Sequence, residues 1–188
     1  RAPSAWPRSS PENGGGGSGS AETTTMQFGP PITSALGSHG SGLVLGDFNG
    51  DGKADFLVRG QPGIFVGQGD GSFRAAGTVA GAISPWVAAD FNGDGVDDVA
   101  ITEPTGSLEA GFVDVFPGLR DGTFGARFTV ASAVPRPGGS AAGDVDRDGY
   151  ADLVVVTTGG FAIHRGSSSG LGPSGPLTVD RSLGIAIT

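Results

Sequence analysis

Asp47-Phe48-Asn49-Gly50-Asp51-Gly52-Lys53-Ala54-Asp55 is the stretch on which the fold turns. It returns as Asp90-Phe91-Asn92-Gly93-Asp94-Gly95-Val96-Asp97-Asp98. It returns again as Asp144-Val145-Asp146-Arg147-Asp148-Gly149-Tyr150-Ala151-Asp152. Each copy lies between two short apolar runs of β character. Oxygen-bearing side chains occupy positions 1, 3, 5 and 9 of every copy, and glycine occupies position 6.

That pattern is the donor set of a hard divalent cation. Ca²⁺ takes six to eight oxygens in flexible geometry. The first loop offers Asp47, Asn49, Asp51 and Asp55, the second Asp90, Asn92, Asp94 and Asp98, and the third Asp144, Asp146, Asp148 and Asp152. By analogy with known calcium loops, the backbone carbonyls of Lys53, Val96 and Tyr150 fill position 7. Gly52, Gly95 and Gly149 let the chain turn through positive φ without a steric penalty. About three ions are expected. The third loop carries four carboxylates where the others carry three, so a count of charges predicts that it binds tightest. A helix-loop-helix site would need an acid at position 12. Val58, Ile101 and Val155 stand there instead.

The flanking runs repeat with the loops. A first strand leads in (Leu43–Leu45, Trp86–Ala89, Ala141–Ala142) and a second leads out (Phe56–Val58, Val99–Ile101, Leu153–Val156). A third follows (Ile64–Val66, Phe112–Phe116, Phe161–Ile163), then a glycine-rich turn and a fourth (Phe73–Ala80, Phe124–Ala131, Pro176–Asp180). Gly69-Asp70-Gly71-Ser72-Phe73 aligns with Arg120-Asp121-Gly122-Thr123-Phe124. Four antiparallel strands per unit of forty to fifty residues is the signature of a propeller blade. The prediction is an all-β chain of about three blades, residues 41–80, 86–131 and 140–180, inside a propeller segment of residues 26–188. Phe28–Leu36 and Leu183–Ile187 read as one extra strand at each end. Residues 1–25, rich in Pro, Gly and Ser, read as a disordered linker.

These loops resemble the FG-GAP/VCBS repeats of integrin α-subunit-like propellers. The resemblance rests on Gly46-Asp47-Phe48-Asn49-Gly50-Asp51-Gly52, Ala89-Asp90-Phe91-Asn92-Gly93-Asp94-Gly95 and Gly143-Asp144-Val145-Asp146-Arg147-Asp148-Gly149, each followed by a β run. It implies calcium-loop blades and a secreted or cell-surface setting. It also implies a role in binding or adhesion, with three readings of the partner. These are a protein ligand, a glycan bound by a lectin, or the non-catalytic propeller region of a secreted hydrolase. Such repeats usually close seven blades, so three are expected to be completed by further blades or by a second chain.

Composition fits this frame. The formal charge is −8. Ten acidic side chains fall on cage positions, and three bound Ca²⁺ would bring the total to about −2. The chain holds one lysine and no basic patch, which argues against nucleic acid. Cysteine is absent, excluding disulfides and thiolate metal sites. No apolar run is long enough to span a membrane as a helix. Gly166-Ser167-Ser168-Ser169-Gly170 matches a hydrolase nucleophile string, but glycine and proline follow where a helix is required. His39 and His164 have no metal or triad spacing. No enzyme activity is expected. Any ligand is expected on the side opposite the acidic loops, where the second-to-third-strand turns lie, with Trp86, Glu103 and Glu109 as candidates.

Overall fold

The computed structural model describes residues 42–59, 63–77, 86–104, 110–158 and 160–173. All lie in one contact unit, residues 34–188. The described residues form β-strands and turns, and among them there is no helix long and apolar enough to cross a membrane.

Blade one consists of β1 (Gly42–Gly46), β2 (Asp55–Arg59), β3 (Gly63–Gly67) and β4 (Phe73–Gly77). Blade two consists of β5 (Trp86–Ala89), β6 (Asp98–Pro104), β7 (Ala110–Phe116) and β8 (Phe128–Pro135). Blade three contributes β9 (Ser140–Gly143), β10 (Asp152–Thr157) and β11 (Gly160–His164). In each sheet the strands pair antiparallel in chain order. The predicted fourth strand of blade three, the linker and the two end strands lie outside the described residues.

Alternation along each strand sorts side chains to the two faces of a blade. Leu57 and Ile64 of blade one meet Trp86, Val99, Ile101 and Phe116 of blade two in one apolar cluster. Ala100, Val113 and Val115 on the other face of blade two meet Leu153 and Val155 of blade three. The first strands neighbour one another from β1 to β5 to β9. This is the radial stacking of propeller blades, here an open arc.

The loops themselves seal the junctions. Phe48 and Phe91, at position 2, are fully buried between their own blade and the next. The equivalent Val145 is 49% exposed. Position 4 of one loop lies under position 7 of the following loop. A Cβ on Gly50 would come within 3.2 Å of Val96, and one on Gly93 within 2.7 Å of the Tyr150 ring. The backbone joins in: Asp97 N–H donates to the Asp47 carbonyl at 2.9 Å, and Ala151 N–H to the Asp90 carbonyl at 3.3 Å.

One boundary differs from the sequence reading. The fourth strand of blade two runs Phe128–Pro135, not Phe124–Ala131, so that blade ends at 135 and not 131. Phe124 makes only a lone bridge to Gly118. Its ring packs edge-on to Phe48 at 5.2 Å. Burial at the junction takes Phe124 out of the ladder, and β8 then pairs with β7 through two register shifts.

Three substitutions test this stacking by urea denaturation. Phe91→Ala is expected to cost about 3–5 kcal/mol, whereas Val145→Ala costs well under about 1 kcal/mol. Gly93→Ala is expected to cost about 1–3 kcal/mol, because its Cβ meets Tyr150 from a left-handed backbone.

Candidate metal centre

Position 1 organises each loop. Asp47 Oδ1 accepts from the N–H groups of Gly50 and Asp51 at 2.8 and 3.1 Å, and its Oδ2 from Gly52 at 2.8 Å. Asp90 gathers Gly93, Asp94 and Gly95 at 2.7, 3.1 and 2.9 Å. Asp144 gathers Arg147, Asp148 and Gly149 at 2.6, 3.2 and 3.1 Å. Converging amides of this kind require left-handed backbone at positions 4 and 6. The φ values are 70° and 80°, 74° and 84°, then 65° and 96°. Glycine adopts them freely, whereas Arg147 does so under strain.

Positions 3 and 5 each close a local turn on the backbone two residues on. Asn49, Asn92 and Asp146 each accept from the amide two residues on, at 3.0, 2.8 and 3.3 Å. Asp51, Asp94 and Asp148 do the same with Lys53, Val96 and Tyr150, at 3.0, 2.9 and 2.9 Å.

Position 9 lies beneath. Asp55, Asp98 and Asp152 are 0%, 2% and 0% exposed. Asp55 Oδ2 accepts from Phe48 N–H at 2.9 Å and Oδ1 from Gly67 N–H at 2.8 Å. Asp152 holds Val145 and Gly166 at 3.0 and 2.9 Å. Asp98 holds Gly118 at 2.9 Å and also the Phe91 amide. Each position-9 aspartate therefore ties position 2 of its loop to the end of the third strand.

The glycines receiving this tie were not singled out from sequence. A Cβ on Gly67, Gly118 or Gly166 would fall 2.2, 2.4 or 2.2 Å from the position-8 carbonyl of its own loop. Only a bare α-carbon lets the strand reach the aspartate. Variable second-to-third turns spread the triplet over 12, 20 and 14 residues from position 9. Registering the copies from the third strand, and not from the loop, would have exposed it.

A carboxylate oxygen that accepts one N–H keeps a second lone-pair direction. In the third loop Asp144, Asp146 and Asp152 bring ligand oxygens within 4.8 Å of one another. Among the described residues, three carboxylates converge in this way in that loop alone. The donors are all hard oxygens around a negative centre, which fits Ca²⁺ and not a thiolate- or imidazole-loving metal.

Burial has a further electrostatic effect. It pushes the Asp98 carboxyl up to about 6, helped by the nearby Asp94 and Asp90 charges, while the Gly118 and Phe91 amides pull the other way. Burial likewise raises Asp55 and Asp97 above the usual carboxylate range. Asp51, at the exposed rim, is held low by its hydrogen bonds and ion pair with Lys53.

The candidates for the opposite side fare differently. Trp86 is not an exposed recognition residue: it is 8% exposed and belongs to the core between blades one and two. Its indole fills the space between two apolar faces, which removes it from any ligand surface. Glu103 is half-buried in β6 opposite Phe112. Glu109 lies outside the described residues. His164 is fully buried with Nδ1 3.2 Å from the Gly172 carbonyl, and burial lowers its pKa. Ser168 sits in a turn that Gly170 N–H closes onto the Ser167 carbonyl at 2.7 Å. This matches the turn in blade two, where Gly122 N–H closes onto the Leu119 carbonyl at 2.9 Å.

Antiparallel blades stacked through acidic nine-residue loops define a class of repeat propeller. Family comparison agrees over residues 90–179. Residues 90–155 match the model of an FG-GAP-like repeat, and residues 137–179 match that of an FG-GAP repeat. Residues 90–179 are thus FG-GAP repeats, and the first loop shares their geometry. No curated protein matches the chain.

Asp98→Ala strands two buried amides, so in chelator it is expected to cost about 2–4 kcal/mol. Asp94→Ala, at the exposed rim, costs far less under the same conditions. Acid titration gives a second check. Asp98 binds its proton more tightly folded than unfolded, so its contribution to stability grows as pH falls from about 6 toward 3.8. His164 acts oppositely below 6.5. The metal-free parent is therefore expected to gain on Asp98→Asn across that window, read as the difference in urea midpoints.

Proposed function

We propose that this chain is a calcium-stabilised β-propeller segment of a secreted or cell-surface protein, serving binding or adhesion and not catalysis. The observation carrying the calcium reading is the threefold loop geometry, with Asp144, Asp146 and Asp152 converging within 4.8 Å. About three ions would be held, by Asp47, Asn49, Asp51 and Asp55, by Asp90, Asn92, Asp94 and Asp98, and by Asp144, Asp146, Asp148 and Asp152. Each would neutralise carboxylates that otherwise repel one another and pin the bend between the first two strands. FG-GAP repeats in residues 90–179 support the propeller and extracellular parts of this reading.

Partner binding is assigned to the side carrying the second-to-third-strand turns, where loop length varies between blades over a rigid scaffold. A protein or a glycan is the ligand class. Two outer faces support completion by further blades or by a second chain. Leu43, Leu45 and Phe73 are 58%, 62% and 40% exposed on blade one. Val145, Val156 and Phe161 are 49%, 55% and 41% exposed on blade three. Val99 and Leu153, which occupy the repeat position of Phe56 beside Leu45, are fully buried in the next two blades.

Thermal melting with CaCl₂ and with chelator, alongside sizing of the same sample, tests the proposal. Extracellular calcium modules bind at roughly 10⁻⁴–10⁻³ M. At tenfold excess over Kd each site is expected to add about 1.4 kcal/mol. A melting temperature indifferent to calcium and chelator would refute the structural role of the ion.

A further inference from the structure

The third loop differs from the other two by a charge that does not belong to the nine-residue motif. The residue just before the strand-end glycine is Val66 in blade one, Pro117 in blade two and Arg165 in blade three. Arg165 Nη1 lies 2.5 Å from Asp146 Oδ2 and 3.5 Å from Asp152 Oδ2. Those carboxylates stand at positions 3 and 9, and both belong to the trio that converges with Asp144.

The other loops have nearby cations, but differently placed. Lys53 pairs with Asp51 Oδ2 at 3.0 Å from within its own loop, through a solvent-exposed ammonium. It touches one carboxylate, and its side chain is 44% exposed. Arg120 donates to the backbone carbonyl of Asp94, not to a carboxylate. Arg165 comes from beyond the end of β11 and bridges two carboxylates, one of them fully buried.

Charge compensation is also selective. Asp146 gives the third loop a carboxylate where Asn49 and Asn92 are neutral. Arg165 restores the balance, so the cage and its arginine together carry the same charge as the three carboxylates of the second loop. A guanidinium stays ionised at any relevant pH and cannot yield its place by losing a proton.

We propose that Arg165 is an internal counter-ion of the third loop. It holds Asp146 and Asp152 together without a divalent ion and competes with Ca²⁺ for them. The loop richest in carboxylates is then the weakest of the three for calcium and the least dependent on it. This rests on the calcium reading above. For an ion to take both oxygens, the guanidinium must leave them or stay as a like charge beside the ion.

Calorimetric titration with CaCl₂ tests this in the full chain carrying Asp51→Ala and Asp94→Ala, which cripple the first two loops at their exposed rims. Adding Arg165→Gln is expected to tighten the remaining site roughly fivefold. Arg165→Lys, which keeps the charge, is expected to stay weak. In chelator Arg165→Gln is expected to lower the melting temperature, and calcium to restore it by a larger shift than in the parent. Calcium affinity unchanged or weakened by Arg165→Gln would overturn the proposal. Absence of calcium uptake by the unsubstituted chain and by Arg165→Gln alike would instead sink the calcium reading, and with it the competition.

Discussion

A buried carboxylate with both oxygens held by backbone amides is the constraint on which this structure depends. Asp55, Asp98 and Asp152 are almost wholly removed from water. An unpaired charge there would be prohibitive. Each is instead fixed from two sides, by an amide of its own loop and by an amide at the end of the third strand. The loop thereby becomes part of the blade and not a flap on it. Desolvation and neighbouring aspartates leave the site short of positive charge, as the raised carboxyls of Asp55 and Asp98 record. A divalent cation would answer that shortage in a way that a further hydrogen bond does not.

The same nine residues carry a second set of instructions, addressed to the neighbouring blade. Positions 2, 4, 7 and 8 place no side-chain oxygen in the shared cage pattern. Position 2 fills the junction with Phe48 and Phe91, position 7 covers the preceding loop's position 4, and position 8 donates its N–H to the preceding position 1. In blade three position 4 is Arg147, which takes the same left-handed backbone at φ 65°. Asp97 adds a side-chain version of the same link, its Oδ2 accepting from Asp47 N–H at 2.9 Å.

Much of this was legible in the chain. The loops are self-contained: every oxygen needed at positions 1, 3, 5 and 9 comes from one continuous stretch, so spacing alone reveals them. The strands flanking them alternate or run apolar, and their pairing follows from short turns. What escaped was non-local. Gly67, Gly118 and Gly166 matter because of a carbonyl that a variable turn brings close. Arg165 matters through space, not through spacing. Phe124 looked like the start of a strand, yet its ring finds Phe48 in another blade. Trp86 begins a strand beside a turn, where sequence permits either exposure or burial, and the facing blade decides for burial.

Loop geometry and blade stacking are consequently one system. The Asp47 carboxylate gathers three amides of its loop, while its backbone carbonyl accepts from Asp97 in the next blade. Anything that fixes the position-1 carboxylate also fixes the peptide to which the next blade is bound. The repeat recurs at Asp90 and Ala151. In a solenoid-like array, stability is the sum of each unit and its interfaces. Here one residue contributes to both terms. A cation in a loop would therefore stiffen the junction beside it, and strain at a junction would be felt in the loop. Such an arrangement ties an arc of small, glycine-rich blades together with little apolar volume per blade, leaving the turns at its far side to vary without disturbing these bonds.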